Sequence, residues 1–231
     1  MTLAVSWDLA GVASYNERSR ESGSAMGFYK NYVVPRFINC ACGTKPIMRQ
    51  REKVVPLAHG TVLEIGVGTG LNLPHYDASR VDKVYGLDPS EQSWRLAGER
   101  VQGLDFDVEF IGLPGEQIPL EDNSVDTVMV TYSLCTIPDP VTALHGMARV
   151  LKPGGQLVFC EHGKAPDDPV QRWQQRINPV WRRLAGGCNL NRDIPQLLDE
   201  GGFDTERIDT MYLPSTPKIA GFNYWGTATQ R

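Results

Sequence analysis

Short β-rich apolar segments alternate with helical segments between residues 61 and 161, and this alternation limits the possible folds most strongly. Because these segments are apolar on both faces, they predict a parallel sheet covered by helices on both sides. The last two segments, 203–213 and 219–230, follow each other without a helix, which predicts antiparallel pairing. We therefore expect an α/β fold with a doubly wound, mostly parallel seven-stranded sheet and a C-terminal antiparallel hairpin. The earlier strands are predicted at 61–66, 81–88, 106–112, 124–133 and 156–161. Helices are predicted at about 26–41, at 90–101, and over the segment 139–155, with Gly154 and Gly155 just past the end of the last one.

The composition excludes several classes of protein. The 231-residue chain has a net charge of −4, which argues against nucleic-acid binding as its main function, since such binding needs a basic stripe. It has no run of about 20 apolar residues and no signal-peptide pattern, which predicts a cytoplasmic protein without a transmembrane segment. Peripheral contact with a membrane is left open. The five cysteines are scattered, which is typical of a reducing compartment, and the pair Cys40 and Cys42 lacks further ligands nearby, so no metal site is expected.

A glycine-rich loop follows the first predicted strand and is the strongest local indication of ligand binding. Gly66, Gly68 and Gly70 allow a tight turn and a close approach of the backbone to a ligand. A dinucleotide-binding loop needs a small residue where this chain has Leu71, so the loop does not match that pattern. Asp88 ends the second predicted strand, where a carboxylate can accept hydrogen bonds from both hydroxyls of a ribose.

Four motifs occur in a characteristic order: VLEIGVGTG (62–70), GLDPS (86–90), PGEQIPLEDNSVDTVMV (114–130) and RVLKPGGQLVF (149–159). With them, the chain resembles the class I S-adenosylmethionine-dependent methyltransferases over about residues 61–161. The resemblance implies a Rossmann-like methyltransferase fold, with S-adenosyl-L-methionine as cofactor and S-adenosyl-L-homocysteine as product. It implies these cofactor-binding residues: Glu64, Ile65, Gly66, Gly68, Gly70, Asp88, Pro89, Gly115, Glu116, Thr131 and Tyr132.

The resemblance also implies what each part of this set contacts. The glycine loop, with Glu64 nearby, holds the amino-acid end of the cofactor, and Asp88 holds the ribose. The residues that follow the third strand lie against the adenine, and those that follow the fourth strand lie near the sulfonium. Many relatives have an aspartate two positions before Glu116, but this chain has Pro114. The adenine contact is therefore expected from Glu116 or from a backbone carbonyl.

A narrower likeness extends beyond the cofactor motifs. The segments Ser133-Leu134-Cys135, Glu161-His162 and Gly187-Cys188-Asn189-Leu190, with Trp173 and Trp181 between the last two, resemble the eukaryotic alkyl-thiol methyltransferases and their bacterial relatives. The eukaryotic members begin with a hydrophobic membrane anchor, whereas this chain begins with a polar segment. The resemblance implies methyl transfer to a small, largely apolar acceptor, with a thiol favoured.

These observations predict one methyltransferase domain over residues 25–231, preceded by a loose arm at 1–24. Within the domain we expect an N-terminal helical lid at 25–60, a cofactor-binding core at 61–161, and an acceptor-side insert with the terminal hairpin at 162–231. In the lid, aromatic residues such as Tyr29 and Tyr32 could cover the acceptor pocket or could simply pack added helices onto the sheet.

His162 is the candidate catalytic base, because it follows the fifth predicted strand at the edge where ligands bind in open α/β sheets. The alternative is a buried histidine that bonds to the backbone or to Glu161 and orients a loop. A thiol acceptor needs little help from a base, because a few per cent of it is already thiolate at neutral pH.

Three other functions stay open at this stage. One is O-, N- or C-methylation of a lipid, a quinone or another small metabolite. Another is a non-enzymatic protein that keeps the cofactor as a sensor or as a subunit of a complex. The third is an NAD-dependent oxidoreductase, which Leu71 and the terminal hairpin disfavour. The oligomeric state is not predicted.

Overall fold

The computed structural model describes residues 42–231, in which one seven-stranded sheet forms the centre of the fold. The strands are β1 Gly60–Ile65, β2 Val81–Leu87, β3 Asp107–Ile111, β4 Val125–Thr131, β5 Leu151–His162, β6 Phe203–Tyr212 and β7 Phe222–Gln230. Their order in the sheet is β3-β2-β1-β4-β5-β7-β6. Strands β1 to β5 are parallel, and β7 is antiparallel to both β5 and β6. The predicted mostly parallel sheet with a reversed C-terminal hairpin is confirmed.

Helices cover both faces of this sheet. They are α1 Lys45–Val54, α2 Glu91–Arg95, α3 Gly98–Val101, α4 Pro140–Val150, α5 Asp168–Leu184, α6 Ile194–Glu200 and α7 Lys218–Gly221. Side-chain caps fix several of their starts: Ser90 accepts a hydrogen bond from the Ser93 amide before α2, and Asp139 accepts one from the Thr142 amide before α4. A proline at the first or second helical position favours the starts of α1 and α4.

The helix predicted at 139–155 is too long at its C-terminal end. Helix α4 ends at Val150, and β5 begins at the next residue. Leu151 pairs with Val125 of β4, so the chain has already joined the sheet there. Pro153 has no amide hydrogen to donate and would also disrupt a continuing helix.

Two smaller expectations are also wrong. The helix predicted at 90–101 is divided into α2 and α3, and Gly98 at the start of α3 has a low helix propensity. A four-residue helix, α7, precedes β7 where no helix was expected between the last two strands. Neither difference changes the order of the strands.

Alternating side chains on the central strands build two separate cores, one on each face of the sheet. One core includes Leu63, Val130 and Phe159 and packs against the apolar side of α4. The other includes Val62, Met129 and Val158 and packs against the end of α1. Because successive residues of a strand point to opposite faces, continuous apolar strands supply both cores, as the sequence pattern predicted.

The predicted arm at 1–24 and the predicted helix at 26–41, with Tyr29 and Tyr32, lie outside the described residues. Among residues 42–231, no helix combines the length and the apolar character that crossing a membrane requires.

Candidate functional site

A cavity of about 450 Å³ opens at the carboxyl ends of the parallel strands. It lies where β1 and β4 are neighbours, the point at which the strand order reverses direction. In open α/β sheets this switch point is the usual site for a ligand, and the volume falls within the range of about 300–1,000 Å³ for small-molecule sites. The segments that follow β1, β2 and β4 all contribute to its wall.

The glycine loop forms one wall of this cavity. Gly66 and Gly68 have φ values of +72° and +51°, a region that glycine adopts far more readily than other residues. A Cβ atom on Gly66 would lie 2.1 Å from Oγ of Ser133, in the turn after β4. The amide of Gly66 also donates to the carbonyl of Leu87 at the end of β2, at 2.7 Å. The loop is therefore held tightly against both neighbouring strands.

Asp88 follows β2 directly and lines the cavity. Its Oδ2 accepts a hydrogen bond from the Gly68 amide at 3.0 Å, and its Oδ1 accepts one from the Ser90 amide at 2.8 Å. Burial raises the pKa of this carboxyl, and the two amides oppose the rise. A carboxylate oxygen can accept more than one hydrogen bond, so both oxygens keep acceptor capacity for a ligand.

The segment after β3 lines the other end of the cavity with Pro114, Gly115 and Glu116. A Cβ atom on Gly115 would lie 3.0 Å from Cδ1 of Ile137, so the backbone approaches the opposite wall closely. Oε1 of Glu116 accepts a hydrogen bond from the Asp139 amide at 3.1 Å. One of its two carboxylate oxygens is thus used to hold the start of α4.

A buried arginine meets the end of β4. Arg51 of α1 is 5% exposed and lines the cavity. Its Nη1 donates to Oγ1 of Thr131 and to Oδ1 of Asn72, both at 2.6 Å, while its buried Nε has no hydrogen-bond partner. The guanidinium lies over the ring of Tyr132, 5.2 Å from its centroid. This arrangement places a positively charged side chain in the cavity wall.

Two buried carboxylates hold the cavity walls from behind. Glu64 accepts a hydrogen bond from the Tyr76 hydroxyl at 2.8 Å, and burial raises its pKa to about 7. Oε1 of Glu161 accepts the amides of Ser133 and Leu134 at 2.7 and 3.1 Å, and burial raises its pKa to about 6. These side chains fix the glycine loop and the turn after β4.

The structure brings most of the predicted cofactor residues together. The cavity is lined by Ile65, Gly66, Gly68, Asp88, Pro89, Gly115, Glu116, Thr131 and Tyr132. Glu64 and Gly70 are not among its lining residues. Glu64 bonds to Tyr76 beneath the loop, and Gly70 packs against the side chain of Leu73. These two residues support the loop from inside the protein.

His162 ends β5, at the sheet edge where it was expected, but it does not line the cavity. Its Nε2 lies 3.3 Å from Sγ of Cys188, and its buried Nδ1 has no hydrogen-bond partner. Burial lowers the pKa of His162, but the contact with Cys188 and the charge of Glu161 outweigh this effect and raise it. Its role as a base stays a prediction.

Arg51 and Asn72 were not identified from the sequence. Arg51 lies in a helix that also carries the exposed Arg49, and nothing in the local pattern distinguishes the two arginines. Asn72 follows the glycine loop and resembles an ordinary turn residue, yet it is fully buried and donates to Glu64 and Thr131, both at 3.0 Å. Only contacts between distant segments reveal these roles.

Comparison with known proteins identifies the family. A methyltransferase domain family matches residues 63–159. The chain is 32% identical over 170 residues to thiol S-methyltransferase TMT1B of Rattus norvegicus, an alignment that covers 70% of this chain and 69% of that protein. The chain belongs to the S-adenosylmethionine-dependent methyltransferases. This methyltransferase is also 37% identical over 144 residues to phosphatidylethanolamine N-methyltransferase of Cereibacter sphaeroides, covering 62% of this chain and 70% of that protein.

A solved structure shows the same fold. A SAM-dependent methyltransferase of Leishmania major superposes on this methyltransferase with a TM-score of 0.64, at 15% sequence identity, covering 90% of this chain and 82% of that one. The predicted Rossmann-like methyltransferase fold and the predicted enzyme class are confirmed. The family implies S-adenosylmethionine as the methyl donor.

Proposed function

We propose that this methyltransferase binds S-adenosylmethionine in the cavity at the switch point and transfers its methyl group to a small, largely apolar thiol. The observation that carries the proposal is the carboxylate of Asp88. It lines the cavity, and the amides of Gly68 and Ser90 fix both of its oxygens while leaving acceptor capacity for two adjacent hydroxyls. A ribose presents such a pair of hydroxyls.

The other walls fit the remaining parts of the donor. The positive-φ glycines let the loop backbone itself form the cavity wall, with Gly66 packed against Ser133, and such a wall suits the amino-acid end of the donor. Arg51 is well placed to bind the donor's carboxylate, since its guanidinium side chain lines the cavity beside Thr131. Gly115 and Glu116 suit the adenine, and Thr131 and Tyr132 suit the region near the sulfonium. Glu64 and Gly70 support the loop.

The residues contribute chiefly by positioning. When bound, S-adenosylmethionine supplies a methyl group that its sulfonium already activates, and the leaving group is a neutral thioether. The cavity must hold the acceptor in line with that methyl group, and such positioning can lower a barrier by roughly 7–11 kcal/mol. A thiol acceptor places little demand on a base. The likeness to thiol S-methyltransferase TMT1B favours this acceptor.

A second candidate acceptor is the amine of a lipid headgroup. The relative named phosphatidylethanolamine N-methyltransferase is 37% identical to this chain over 144 residues, which favours this possibility over other non-thiol acceptors. An amine is protonated at neutral pH and must lose its proton before methyl transfer, so this reaction needs a base more than a thiol does. Hydroxyl, quinone and carbon acceptors belong to the same group of alternatives.

The proposal also covers the partner, the cellular compartment and the domain organisation of the enzyme. Its partner is a small molecule, and the net charge of −4 does not favour binding to nucleic acid. Four cysteines of the described chain, Cys42, Cys135, Cys160 and Cys188, are free thiols, which suits the reducing cytoplasm. We also propose a single domain over 25–231, with a helical lid at 25–60, a cofactor-binding core at 61–161, and an acceptor-side insert with the terminal hairpin at 162–231.

Calorimetric titration with S-adenosylhomocysteine tests the cofactor site. We expect micromolar binding, weakened about 10- to 100-fold by Asp88→Asn, because each hydrogen bond to a charged group contributes about 1.5–3 kcal/mol. Asp82→Asn is the matched control, since Asp82 is exposed on β2, the strand that Asp88 follows. Absence of binding to the unmodified chain would refute the proposal.

Methylation assays on a panel of acceptors with a radiolabelled donor test whether the acceptor is a thiol. We expect methylation of small apolar thiols and much slower methylation of phosphatidylethanolamine vesicles, phenols and quinols. Activity on the lipid amine but not on thiols would refute the thiol as acceptor and support the lipid headgroup amine instead. If His162 is the base, His162→Ala should lower kcat most at a pH where the imidazole is neutral and the thiol is still largely protonated. It should lower kcat least at low pH, where the protonated imidazole cannot accept a proton.

A further inference from the structure

Three potential metal ligands meet beside the cavity although they are distant in sequence. Cys135 lies in the turn after β4, His162 ends β5, and Cys188 lies in the loop after α5. Their two sulfur atoms and one ring nitrogen all lie within 4.8 Å of one another. Bond lengths of about 2.3 Å to sulfur and about 2.0 Å to nitrogen place the ligand atoms of a tetrahedral zinc site roughly 3.5–3.8 Å apart. Small side-chain rotations therefore suffice to bind an ion.

Hydrogen bonds fix the backbone around this cluster. Asn189, next to Cys188, donates from both its amide and its Nδ2 to the carbonyl of Cys135, each at 2.9 Å. Arg192 donates to the carbonyl of Leu134 and to that of Ile137, the latter at 2.6 Å. The two cysteine-bearing segments are therefore tied to each other, as a preorganised metal site requires.

The ligand atoms themselves make only weak contacts. Sγ of Cys135 lies 3.4 Å from Oγ1 of Thr136, and Sγ of Cys188 lies 3.3 Å from Nε2 of His162. A thiol is a weak hydrogen-bond donor and acceptor, so these contacts leave the sulfur lone pairs largely available. In addition, Nδ1 of His162 is buried without a hydrogen-bond partner. The potential ligand atoms of the cluster therefore make few strong hydrogen bonds, whereas the backbone around them is well hydrogen-bonded.

The charges around the cluster suit a divalent cation. Two thiolates and a neutral imidazole offset the charge of Zn²⁺, so the site with zinc is neutral before an acceptor binds. Two charged side chains that act electrostatically on His162, Glu161 and Arg192, have opposite signs. Soft thiolate ligands together with imidazole select zinc over magnesium or calcium.

The cluster borders the cavity. Thr136 and Gly186, close in sequence to the two cysteines, line the cavity, and so does Cys42. Burial raises the pKa of the Cys42 thiol, Arg51 opposes the rise, and Cys188 adds to it, which places Cys42 near Cys188. A fourth coordination position on this side would therefore face the space available to an acceptor.

We propose that Cys135, His162 and Cys188 bind a zinc ion whose fourth position is open to the cavity and takes the acceptor thiol as a thiolate. Three protein ligands with one open position are typical of catalytic zinc. On binding, the acceptor releases its S–H proton to solvent and forms a zinc–sulfur bond. The sulfur electron pair then forms the new bond to the methyl carbon, the bond between that carbon and the sulfonium breaks, and the neutral thioether product leaves the metal. This inference rests on the proposed thiol methylation.

The first experiment measures zinc in the full-length chain by mass spectrometry of the metal after gel filtration with equimolar Zn²⁺. We expect one zinc per chain. Cys135→Ser, Cys188→Ser and His162→Ala should each bind zinc at least about 100-fold more weakly, since even loss of a group that orients a ligand costs about 10- to 100-fold. Cys160→Ser, a buried thiol of β5 outside the cluster, is the matched control and should keep its zinc.

Cobalt substitution supplies a readout that is independent of activity. Co²⁺ bound to the unmodified chain should show thiolate-to-metal charge-transfer absorption, and a small thiol added to the sample should shift it. Cys42→Ser should retain both the metal and the shift; loss of the metal in this variant would show that Cys42 closes the site, and the open position would be refuted.

Other results would overturn the zinc site itself. The zinc site is refuted if the unmodified, reduced chain takes up no zinc, or if the cluster variants take up as much zinc as the Cys160→Ser control. It is also refuted if freshly purified protein without metal contains a Cys135–Cys188 disulfide. Titration of the same samples with S-adenosylhomocysteine separates the two proposals. If the chain binds that compound but takes up no zinc, only the metal site is refuted, whereas failure to bind the compound refutes the proposed function.

Discussion

At the scale of single residues, the site depends on backbone conformations that few side chains tolerate. Gly66 combines a φ of +72° with a Cβ position only 2.1 Å from Oγ of Ser133. Tyr132, on the opposite wall, has a φ of 53°, which is unusual for a bulky residue. Such strain persists where the surroundings fix the backbone, and here Glu161 accepts the amides of the next two residues.

Gly66→Ala should destabilise the fold by at least about 2 kcal/mol and weaken cofactor binding, because the new methyl group must displace Ser133 and the left-handed φ becomes strained. Urea unfolding and calorimetry measure the two effects. Gly98→Ala is the matched control: it lies in α3 with nothing within 4 Å of its Cβ position, so it should be neutral or stabilising by up to about 1 kcal/mol. Equal effects of the two substitutions would contradict this explanation.

Glu64 should make stability depend on pH. Burial raises its folded-state pKa to about 7, above the unfolded value near 4.5, so the folded chain holds this proton more tightly. The resulting stabilisation is complete below about pH 4.5 and is lost as the pH rises through 7. A rise of this size corresponds to roughly 3 kcal/mol.

Urea unfolding of the Glu64→Gln variant at pH 5 and pH 8 measures this contribution. The parent chain should lose more stability between the two pH values than the variant does. Glu121→Gln, an exposed glutamate in the loop before β4, should behave like the parent. If Glu64→Gln leaves the pH dependence unchanged, Glu64 is not the titrating group.

At the scale of elements, helix α1 connects the N-terminal part of the described chain to the cavity proposed to bind the cofactor. Arg51 reaches from α1 to Thr131 at the end of β4 and to Asn72 after the glycine loop. One side chain thereby joins three separate segments around the cavity. The same helix supplies Val54 to the core on its face of the sheet, so packing positions the arginine.

Arg51→Met should weaken S-adenosylhomocysteine binding about 10- to 100-fold, because it removes the cation proposed to bind the carboxylate. Affinity for methylthioadenosine, which lacks the amino-acid part, should fall much less. Arg49→Met on the exposed side of the same helix is the control and should change neither affinity. Equal losses for both ligands would indicate a general collapse of the site and contradict a role in carboxylate binding.

At the scale of the whole molecule, ligand binding at the switch point joins segments from most of the parallel sheet. A ligand at about 100 times its Kd stabilises the folded state by about 2.7 kcal/mol. For a chain of this length that corresponds to a rise in Tm of roughly 5–10 °C. We expect this rise with S-adenosylhomocysteine and none with NAD in a thermal unfolding scan. A shift with NAD alone would instead support the oxidoreductase alternative.

Much of the fold could be predicted because its determinants are local. Alternating apolar runs, the glycine loop after β1 and the absence of a long helix before β7 indicated the strand types and the reversed hairpin. The end of α4 could not be predicted, because the segment after Val150 has residues compatible with a helix cap. Only pairing of Leu151 with Val125 shows that the strand begins at once.

The sequence by itself determined the enzyme class, since the glycine loop and Asp88 belong to short motifs whose order reflects consecutive βα units. Tertiary structure decided which distant side chains meet: Arg51 with Thr131, and Cys135 with His162 and Cys188. Local patterns record the periodicity and turn chemistry of one segment at a time. Contacts between segments depend instead on how helices pack across the sheet and where loops return to its edge, which no short stretch of sequence specifies.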